Sequence, residues 1–343
     1  MVHEPGQKSS IPLLSSGTLL LPSPRGFCAG VIRAIEIVRL ALEKLGRPVY
    51  VRKEIVHNAY VVAELAAQGA VFVDTLDEVP SGAVVVFSAH GVSPEVRADA
   101  ARRELQIIDA TCPLVTKVHL EAVRYARSGY TIVLVGHRDH DEVEGTVGEA
   151  PTAIHVISSA DEVDRLDVPD PTRVVYLTQT TLSMDDTAEI VARLKVRFPA
   201  IVAPPDQDIC YATQNRQTAV KLIAPRADLI LVVGAHNSSN SNRLVEVAER
   251  AGTRAHLIGS VEDIRPEWLE GCRRIGVTAG ASTPEVLVEQ VVAELRAWGC
   301  ETVEPVEVVR ENVRFSLPPQ LRQHEALASA GAAGLHHHGN DEP

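Results

Sequence analysis

Three of the five cysteines in this 343-residue chain stand where a polar loop passes into a helical pattern. Cys28 lies between two glycines in "PRGFCAGVIRA", Cys112 is followed directly by proline, and Cys210 precedes "YATQNRQTAVKLI". A thiolate at the N-terminus of a helix is stabilised by the exposed N–H groups there, which favours metal ligation. Four cysteines usually hold a [4Fe–4S] cluster, so three would leave one iron open to bind a substrate oxygen as a Lewis acid.

Two other interpretations of these cysteines stay open at this point. Zinc held by three sulfurs and a water is the second metal that the set could bind, although the short paired spacings expected of such a site are missing. The three could also be ordinary buried hydrophobic residues. Cys272 and Cys300 lie outside the repeated position and are interpreted as core residues. The odd number and wide spacing of the cysteines do not suit a disulfide framework.

A second set of residues supplies imidazoles, hydroxyls and amides, which suit a phosphate or diphosphate oxyanion. Each of them follows a predicted strand; singly they would be ordinary loop or capping residues, but jointly they indicate an anion pocket. Glu142 is a candidate proton donor, and Glu144 is expected to be solvated. The candidates that follow strands are His57, His90, His140, Thr180, Asn240 and Ser282.

The elements that must position these groups repeat three times. Each of the three cysteines opens a helix, and each helix leads to an apolar strand: "VYVRKEIV", "TIVLVG" and "LILVVG". A second half follows, in which "DTLDEVP", "SSADEVD" and "GSVEDIR" each precede a strand and a polar turn. The repeat predicts an α/β fold of three pseudo-symmetric units with mostly parallel sheets around a central iron–sulfur site. The predicted boundaries are a flexible leader 1–17, units 18–111, 112–209 and 210–317, and a disordered tail 318–343.

The last helix of each unit carries its own start signal. Ser93, Ser183 and Thr283 each stand two residues before an acid, which predicts a capping hydroxyl and a negative charge in the first turn. Because ligands of parallel sheets bind beyond the carboxyl ends of the strands, the three sulfurs and the polar loops are expected to meet at one centre. The alternative is that the repeat is a relic of duplication whose loops are dispersed.

Composition narrows the classes of partner. The formal charge of −12 and the lack of a run of Lys and Arg argue against nucleic acid. The longest apolar runs have the length of buried strands, so no membrane span is expected. The N-terminal segment lacks the pattern of a signal peptide, and a cytoplasmic location is predicted. The run His336–His338 is interpreted as part of a disordered tail or as a remnant of cloning.

Taken together, these segments resemble the LytB/IspH family, the 4-hydroxy-3-methylbut-2-enyl diphosphate reductases. The resemblance runs from about Leu20 to Leu317 and includes "PRGFCAGVIRAI", "VHN", "SAHGVS", "DATCPLVTKVH", "TQTTLS", "DICYATQNRQ", "GAHNSSNSNRL" and "VTAGASTPE". It implies reductive dehydroxylation of (E)-4-hydroxy-3-methylbut-2-enyl diphosphate to isopentenyl and dimethylallyl diphosphates, the last step of the methylerythritol phosphate route. It also implies one [4Fe–4S] cluster per chain and an electron donor of the reduced ferredoxin or flavodoxin type.

The resemblance also implies roles for particular residues. Cys28, Cys112 and Cys210 resemble the cluster ligands. Glu142, Thr180 and His140 resemble the catalytic groups near the substrate hydroxyl, and Thr180 also resembles a substrate-binding residue of the family. The diphosphate pocket corresponds to His57, His90, His140, Ser238, Ser239, Asn240 and Ser282.

One departure from the family pattern is Asp141, where proline is more usual. Without the fixed φ of proline, and with an added negative charge at this position, the orientation of the Glu142 side chain cannot be taken over from the family. Two rival hypotheses remain. A hydro-lyase with a cluster would need no electron donor, and an iron–sulfur sensor would bind no diphosphate.

Overall fold

A computed structural model describes residues 16–322, whose contacts divide them into two compact units. One unit consists of residues 16–27 and 211–311, and the other of residues 28–210 and 312–322. All strand pairs in both units are parallel, as the alternation of apolar strands and helices predicts. Most of the predicted leader and tail, including His336–His338, lies outside the described residues.

The regular elements alternate along the chain. Between residues 16 and 322 the strands are β1 (Gly17–Ser23), β2 (Val49–Arg52), β3 (Ala70–Val73), β4 (Val84–Phe87), β5 (Gln106–Asp109), β6 (Thr131–Val135), β7 (Ile154–Ile157), β8 (Val174–Thr178), β9 (Leu229–Val233), β10 (Arg254–Ile258), β11 (Arg274–Ala279) and β12 (Cys300–Glu307). The α-helices of the same part are α1 (Ala29–Lys44), α2 (Ala59–Ala67), α3 (Pro94–Arg102), α4 (Pro113–Arg127), α5 (Asp141–Glu149), α6 (Ala160–Val163), α7 (Met184–Arg197), α8 (Tyr211–Ile223), α9 (Ser239–Arg250) and α10 (Glu285–Ala297).

The unit of residues 16–27 and 211–311 is built on one five-stranded sheet. Its order is β10-β9-β11-β1-β12, and β9 is buried along its whole length. Strands that are covered on both faces have continuous apolar sequences, which explains the sequence "LILVV" of β9. The threefold repeat predicts that β1 belongs to the unit 18–111. In the structure β1 pairs with β11 and β12, so the strand that precedes Cys28 belongs to the sheet of the last third of the chain.

The unit of residues 28–210 and 312–322 contains two smaller parallel sheets. One has the order β3-β2-β4-β5 and the other the order β7-β6-β8. The central strands β4 and β6 are almost entirely buried. Together with the five-stranded sheet, this gives the three parallel sheets that the threefold repeat predicts.

The predicted capping hydroxyl is correct in two units and wrong in the third, whereas the predicted acid lies in the first turn of all three helices. Ser93 and Ser183 cap α3 and α7, accepting hydrogen bonds from the N–H groups of Val96 and Asp186. Thr283 does not cap α10, because that helix begins one residue later, with Pro284 at the N-cap. The buried hydroxyl of Thr283 instead donates to the carbonyl oxygen of Val233 at 2.9 Å, at the end of β9.

The two cysteines outside the repeat are core residues, as predicted. Cys272 and Cys300 are buried in the core of the five-stranded sheet, as expected for residues outside the repeated cysteine position.

Within residues 16–322, none of the helices combines the length and the apolar character that crossing a bilayer requires.

Candidate active site

The three cysteines of the repeat belong to the same compact unit, residues 28–210. Cys28 is the N-cap residue of α1 and Cys112 is the N-cap residue of α4. Cys210 directly precedes α8. The prediction that each of these cysteines stands at the opening of a helix is therefore confirmed.

Gly30 shows how closely two of the sulfurs approach the same point. A Cβ atom added at Gly30 would lie 2.8 Å from the Sγ atom of Cys112 and 3.8 Å from the Sγ atom of Cys28. The first distance is shorter than real Cβ contacts, so a side chain here would enter the space around both sulfurs. This close approach is the physical reason for the glycine two residues after Cys28.

The pKa of Cys112 shows that the third sulfur, that of Cys210, also lies near it. Burial, with the charges of Cys28 and Cys210 as further causes, raises the pKa of Cys112 to about 12, although N–H groups of Leu114 and Val115 lower it. Three thiolates this close repel one another, and a bound metal centre would offset that repulsion while releasing the thiol protons. A donor set of thiols alone suits zinc or an iron–sulfur cluster, so these residues fit such a group.

Three imidazoles predicted for the anion pocket lie together in the same unit. The rings of His57 and His90 stack with centroids 4.0 Å apart. The ring of His140 stands edge-on to both, at 5.5 Å and 5.7 Å. We refer to His57, His90 and His140 as the three-histidine group.

Two members of this group are held neutral and one has a fixed tautomer. Burial, followed by the charge of His57, lowers the pKa of His140 to about 4. Burial, followed by the charges of His57, His140 and Lys53, lowers the pKa of His90 well below its usual value. The Nδ1 atom of His140 accepts a hydrogen bond from the N–H of Glu142 at 3.1 Å, so its Nε2 carries the proton and can donate to an oxyanion.

Glu142 is buried and bound to Thr180. Its Oε1 atom accepts from the N–H of Thr180 at 2.7 Å, and its Oε2 atom accepts from the hydroxyl of Thr180 at 2.9 Å. Burial raises the pKa of Glu142 to about 7, against the lowering effect of these two hydrogen bonds. A carboxyl group with such a pKa is protonated in about half of the molecules at neutral pH, which suits a general acid.

Asp141 does not disturb this arrangement. It is the first residue of α5, where the helix dipole favours a negative charge, and Glu142 behind it still reaches Thr180. The carboxylate of Asp141 forms an ion pair with Lys53, which also lies 3.1 Å from Glu144. An oxygen of Asp141 and ring nitrogens of His57 and His90 lie within 4.8 Å of one another, a spacing that a metal ion could bridge.

Lys53 is the residue of this region that sequence reasoning missed. The run "VYVRKEIV" predicts a strand through Lys53, but β2 ends at Arg52 and Lys53 has a φ of +56°. A signal was available, since a basic and an acidic residue interrupt the apolar alternation at this point. Glu144, expected in solvent, has a side chain that is 59% exposed.

The polar residues after β9 and β11 form a group of their own in the unit of residues 16–27 and 211–311. The side-chain oxygen of Asn240 accepts from the N–H of Ala281 at 2.8 Å, and its amide nitrogen donates to the hydroxyl of Thr213 at 3.4 Å. Ser238 caps α9 by accepting from the N–H of Ser241, and Ser282 is buried. That this group and the three-histidine group bind the same diphosphate stays a prediction.

Comparison with known proteins gives consistent results. A family model described as LytB protein matches residues 19–296. The chain is 57% identical over 320 residues to a 4-hydroxy-3-methylbut-2-enyl diphosphate reductase of Mycolicibacterium gilvum, covering 93% of this chain and 96% of the relative. It is 56% identical over 304 residues to the protein of that name from Ralstonia nicotianae, covering 89% and 94%.

Solved structures give the same picture. The structure of the E-1-hydroxy-2-methyl-but-2-enyl-4-diphosphate reductase from Plasmodium falciparum is similar with a TM-score of 0.88 and 40% identity, covering 92% of this chain and 99% of that one. A structure described as (E)-4-hydroxy-3-methyl-but-2-enyl diphosphate reductase, the terminal enzyme of the non-mevalonate pathway, is similar with a TM-score of 0.59 and 31% identity, covering 82% and 99%.

Proposed function

The chain belongs to the LytB protein family of 4-hydroxy-3-methylbut-2-enyl diphosphate reductases, and from this premise we propose how its own residues divide the work of that reaction. It is an oxidoreductase of the non-mevalonate route to isoprenoids, and its family is one of iron–sulfur enzymes. The substrate takes up two electrons and two protons, loses its allylic hydroxyl as water, and becomes isopentenyl or dimethylallyl diphosphate.

Cys28, Cys112 and Cys210 would hold a [4Fe–4S] cluster, and these three ligands would leave one iron open. The observation that carries this assignment is the approach of the sulfurs of Cys28 and Cys112 to Gly30, with Cys210 near enough to affect Cys112. When bound, the cluster supplies electrons singly and a Lewis-acidic iron. A reduced ferredoxin or flavodoxin is the proposed electron donor.

The diphosphate is bound by hydrogen-bond donors of the three-histidine group. His140 donates through Nε2, and the neutral His90 beside it has one N–H to donate. A phosphate oxygen is a strong acceptor for such donors. The resemblance to the family adds further proposed diphosphate ligands, namely His57, Ser238, Ser239, Asn240 and Ser282.

Glu142 gives the proton that lets the hydroxyl leave as water. Its burial keeps the proton on the carboxyl near neutral pH, and Thr180 fixes the orientation of both carboxyl oxygens. The hydroxyl of Thr180, which lies beside Glu142, is the second proposed contact of the substrate oxygen. The second proton goes to either end of the allyl unit, from the diphosphate itself, which accounts for the two products.

The test is to purify the protein without oxygen and to measure iron, sulfide and zinc beside viologen-driven turnover. We expect about four irons per chain, with loss of the cluster in Cys112→Ser and retention in the matched variant Cys300→Ser. Stoichiometric zinc without iron would refute the cluster assignment. Turnover that needs no reductant would favour the hydro-lyase, and failure to bind diphosphate would favour the sensor.

A further inference from the structure

Lys53 lies directly after β2 and is bound to two carboxylates of α5. Its Nζ atom forms an ion pair with Asp141 and a hydrogen bond of 3.1 Å to Glu144. Burial alone would lower the pKa of Lys53, but the bonds to Asp141 and Glu144 raise it above its usual value. The side chain is therefore charged, and it is 27% exposed.

The ammonium group stands at the edge of the three-histidine group. The carboxylate of Asp141, to which it is bound, has an oxygen within 4.8 Å of ring nitrogens of His57 and His90. The charge of Lys53 also contributes to the lowered pKa values of His90 and His140. Lys53 thus supplies positive charge beside Asp141, His57 and His90, where a metal ion would otherwise supply it.

A diphosphate carries several negative charges, and this region has a deficit of positive charge to meet them. His90 and His140 are neutral, so they offer hydrogen bonds without net charge. Asp141 adds a negative charge that would repel the ligand. An ammonium group has three donors; Asp141 and Glu144 take two of them, which leaves a third for a phosphate oxygen.

We propose that Lys53 binds the diphosphate of the substrate directly, and that Asp141 and Glu144 position its ammonium group beside the three-histidine group. The inference rests on the proposed function, since it assumes that the histidines bind the diphosphate. It also gives Asp141 a role, because the carboxylate at the start of α5 holds Lys53.

The alternative is that Lys53 only neutralises Asp141 and never touches the ligand. Both hypotheses predict weaker binding when Lys53 is replaced, so a single variant cannot separate them. The two hypotheses predict different affinities when Asp141 has been replaced by the neutral asparagine. If Lys53 acts only on Asp141, replacing Lys53 in the Asp141→Asn variant does not change the affinity for the diphosphate. If Lys53 contacts the diphosphate directly, its replacement lowers the affinity whether or not Asp141 is charged.

The experiment measures binding of inorganic pyrophosphate to cluster-loaded protein by calorimetry without oxygen. We expect Lys53→Met to weaken binding about 10- to 100-fold, the usual range for one charge-assisted hydrogen bond. Lys53→Met/Asp141→Asn should be weaker than Asp141→Asn by a similar factor. Lys53→Arg should retain most of the affinity, and Lys195→Met, an exposed lysine on α7, should match the parent.

Turnover gives a second readout. Lys53→Met should raise KM and leave kcat near that of the parent, because the lost contact involves the diphosphate and not the departing hydroxyl. Equal affinity of the double variant and Asp141→Asn would overturn the inference, as would parent-like binding by Lys53→Met. Full affinity in His90→Ala would instead refute the histidine site, and with it the proposed function on which the inference rests.

Discussion

Thr180 donates two hydrogen bonds to the carboxyl group of Glu142, one from its N–H at 2.7 Å and one from its hydroxyl at 2.9 Å. The two residues come from different strand ends, since Glu142 follows β6 and Thr180 follows β8, the neighbour of β6 in the sheet. Both donors favour the ionised carboxylate, yet burial outweighs them and raises the pKa of Glu142 to about 7. The pair therefore holds an acid that can give up its proton at neutral pH.

Replacing Glu142 by glutamine should separate protonation from assembly. Glutamine keeps the size of the side chain but cannot donate a proton as an acid. We expect viologen-driven turnover of Glu142→Gln to fall by about 10²- to 10⁴-fold, with iron content and pyrophosphate binding near those of the parent. Glu189→Gln, at an exposed position of α7, is the matched control. Parent-like turnover would remove the acid role, and loss of iron would make Glu142 structural.

The same carboxyl group should make stability depend on pH. Its pKa is about 7 in the folded protein against 4.5 for an unperturbed glutamate, so between these values the folded state binds more protons than the unfolded state. Stability from this group is complete below pH 4.5 and is lost as the pH rises through about 7. The loss amounts to at most about 3 kcal/mol.

Urea unfolding of the parent and of Glu142→Gln measures this contribution. The neutral amide does not titrate, so the variant should gain stability relative to the parent as the pH rises from 5 to 9. The difference isolates Glu142, because all other groups titrate in both proteins. A constant difference across this range would show that the carboxyl group is not desolvated in solution.

The sequence predicted the positions of the cysteines and histidines well, because local patterns determine them. Cys28 and Cys112 precede amphipathic helices, and His90 and His140 follow apolar strands, so both sets could be located from periodicity alone. The closeness of His57 and His90 follows from the neighbouring parallel strands β2 and β4, whose carboxyl ends share one edge of a sheet. His140 follows β6 in a different sheet, so its approach to the other two rings does not follow from strand pairing.

Long-range pairing and single backbone angles could not be predicted in this way. The apolar pattern of β1 indicates a buried strand but does not say which sheet receives it, and the strand pairs with residues about 280 positions later in the chain. Lys53 ends β2 through a left-handed conformation that its residue type does not favour. Thr283 and Ser93 are both followed by proline and glutamate, yet only Ser93 caps its helix, because the Thr283 hydroxyl is bound to the carbonyl oxygen of Val233 far away in the sequence.

Gly30 provides a test of the sulfur arrangement that leaves every cysteine in place. The added methyl group of Gly30→Ala would lie 2.8 Å from the sulfur of Cys112, so the sulfurs or the start of α1 must move. We expect lower iron and sulfide content per chain, although alanine is the better helix former. Gly259→Ala is the control, since its methyl group would meet only a flexible carboxylate at 3.3 Å. Full cluster content in Gly30→Ala would mean that the cluster does not need this space.

Thr180→Val tests how the hydroxyl adjusts the acidity of Glu142. Valine has nearly the shape of threonine and keeps the backbone N–H bond, but it removes the donor 2.9 Å from Oε2. Because that hydrogen bond lowers the pKa of Glu142, its loss should raise the pKa further. The carboxyl group then stays protonated to higher pH, and the alkaline decline of kcat should move upward in pH.

The measurement for Thr180→Val is the pH profile of kcat with saturating substrate and a chemical reductant, beside the parent and Thr180→Ser. Serine restores the hydroxyl and should return the alkaline limb to the position found in the parent. Overall kcat of Thr180→Val should also fall, since the hydroxyl contacts the substrate in the proposed mechanism. A decline that moves to lower pH in Thr180→Val, or that does not move while kcat falls, would show that another group sets the alkaline limb and that Glu142 is not the acid.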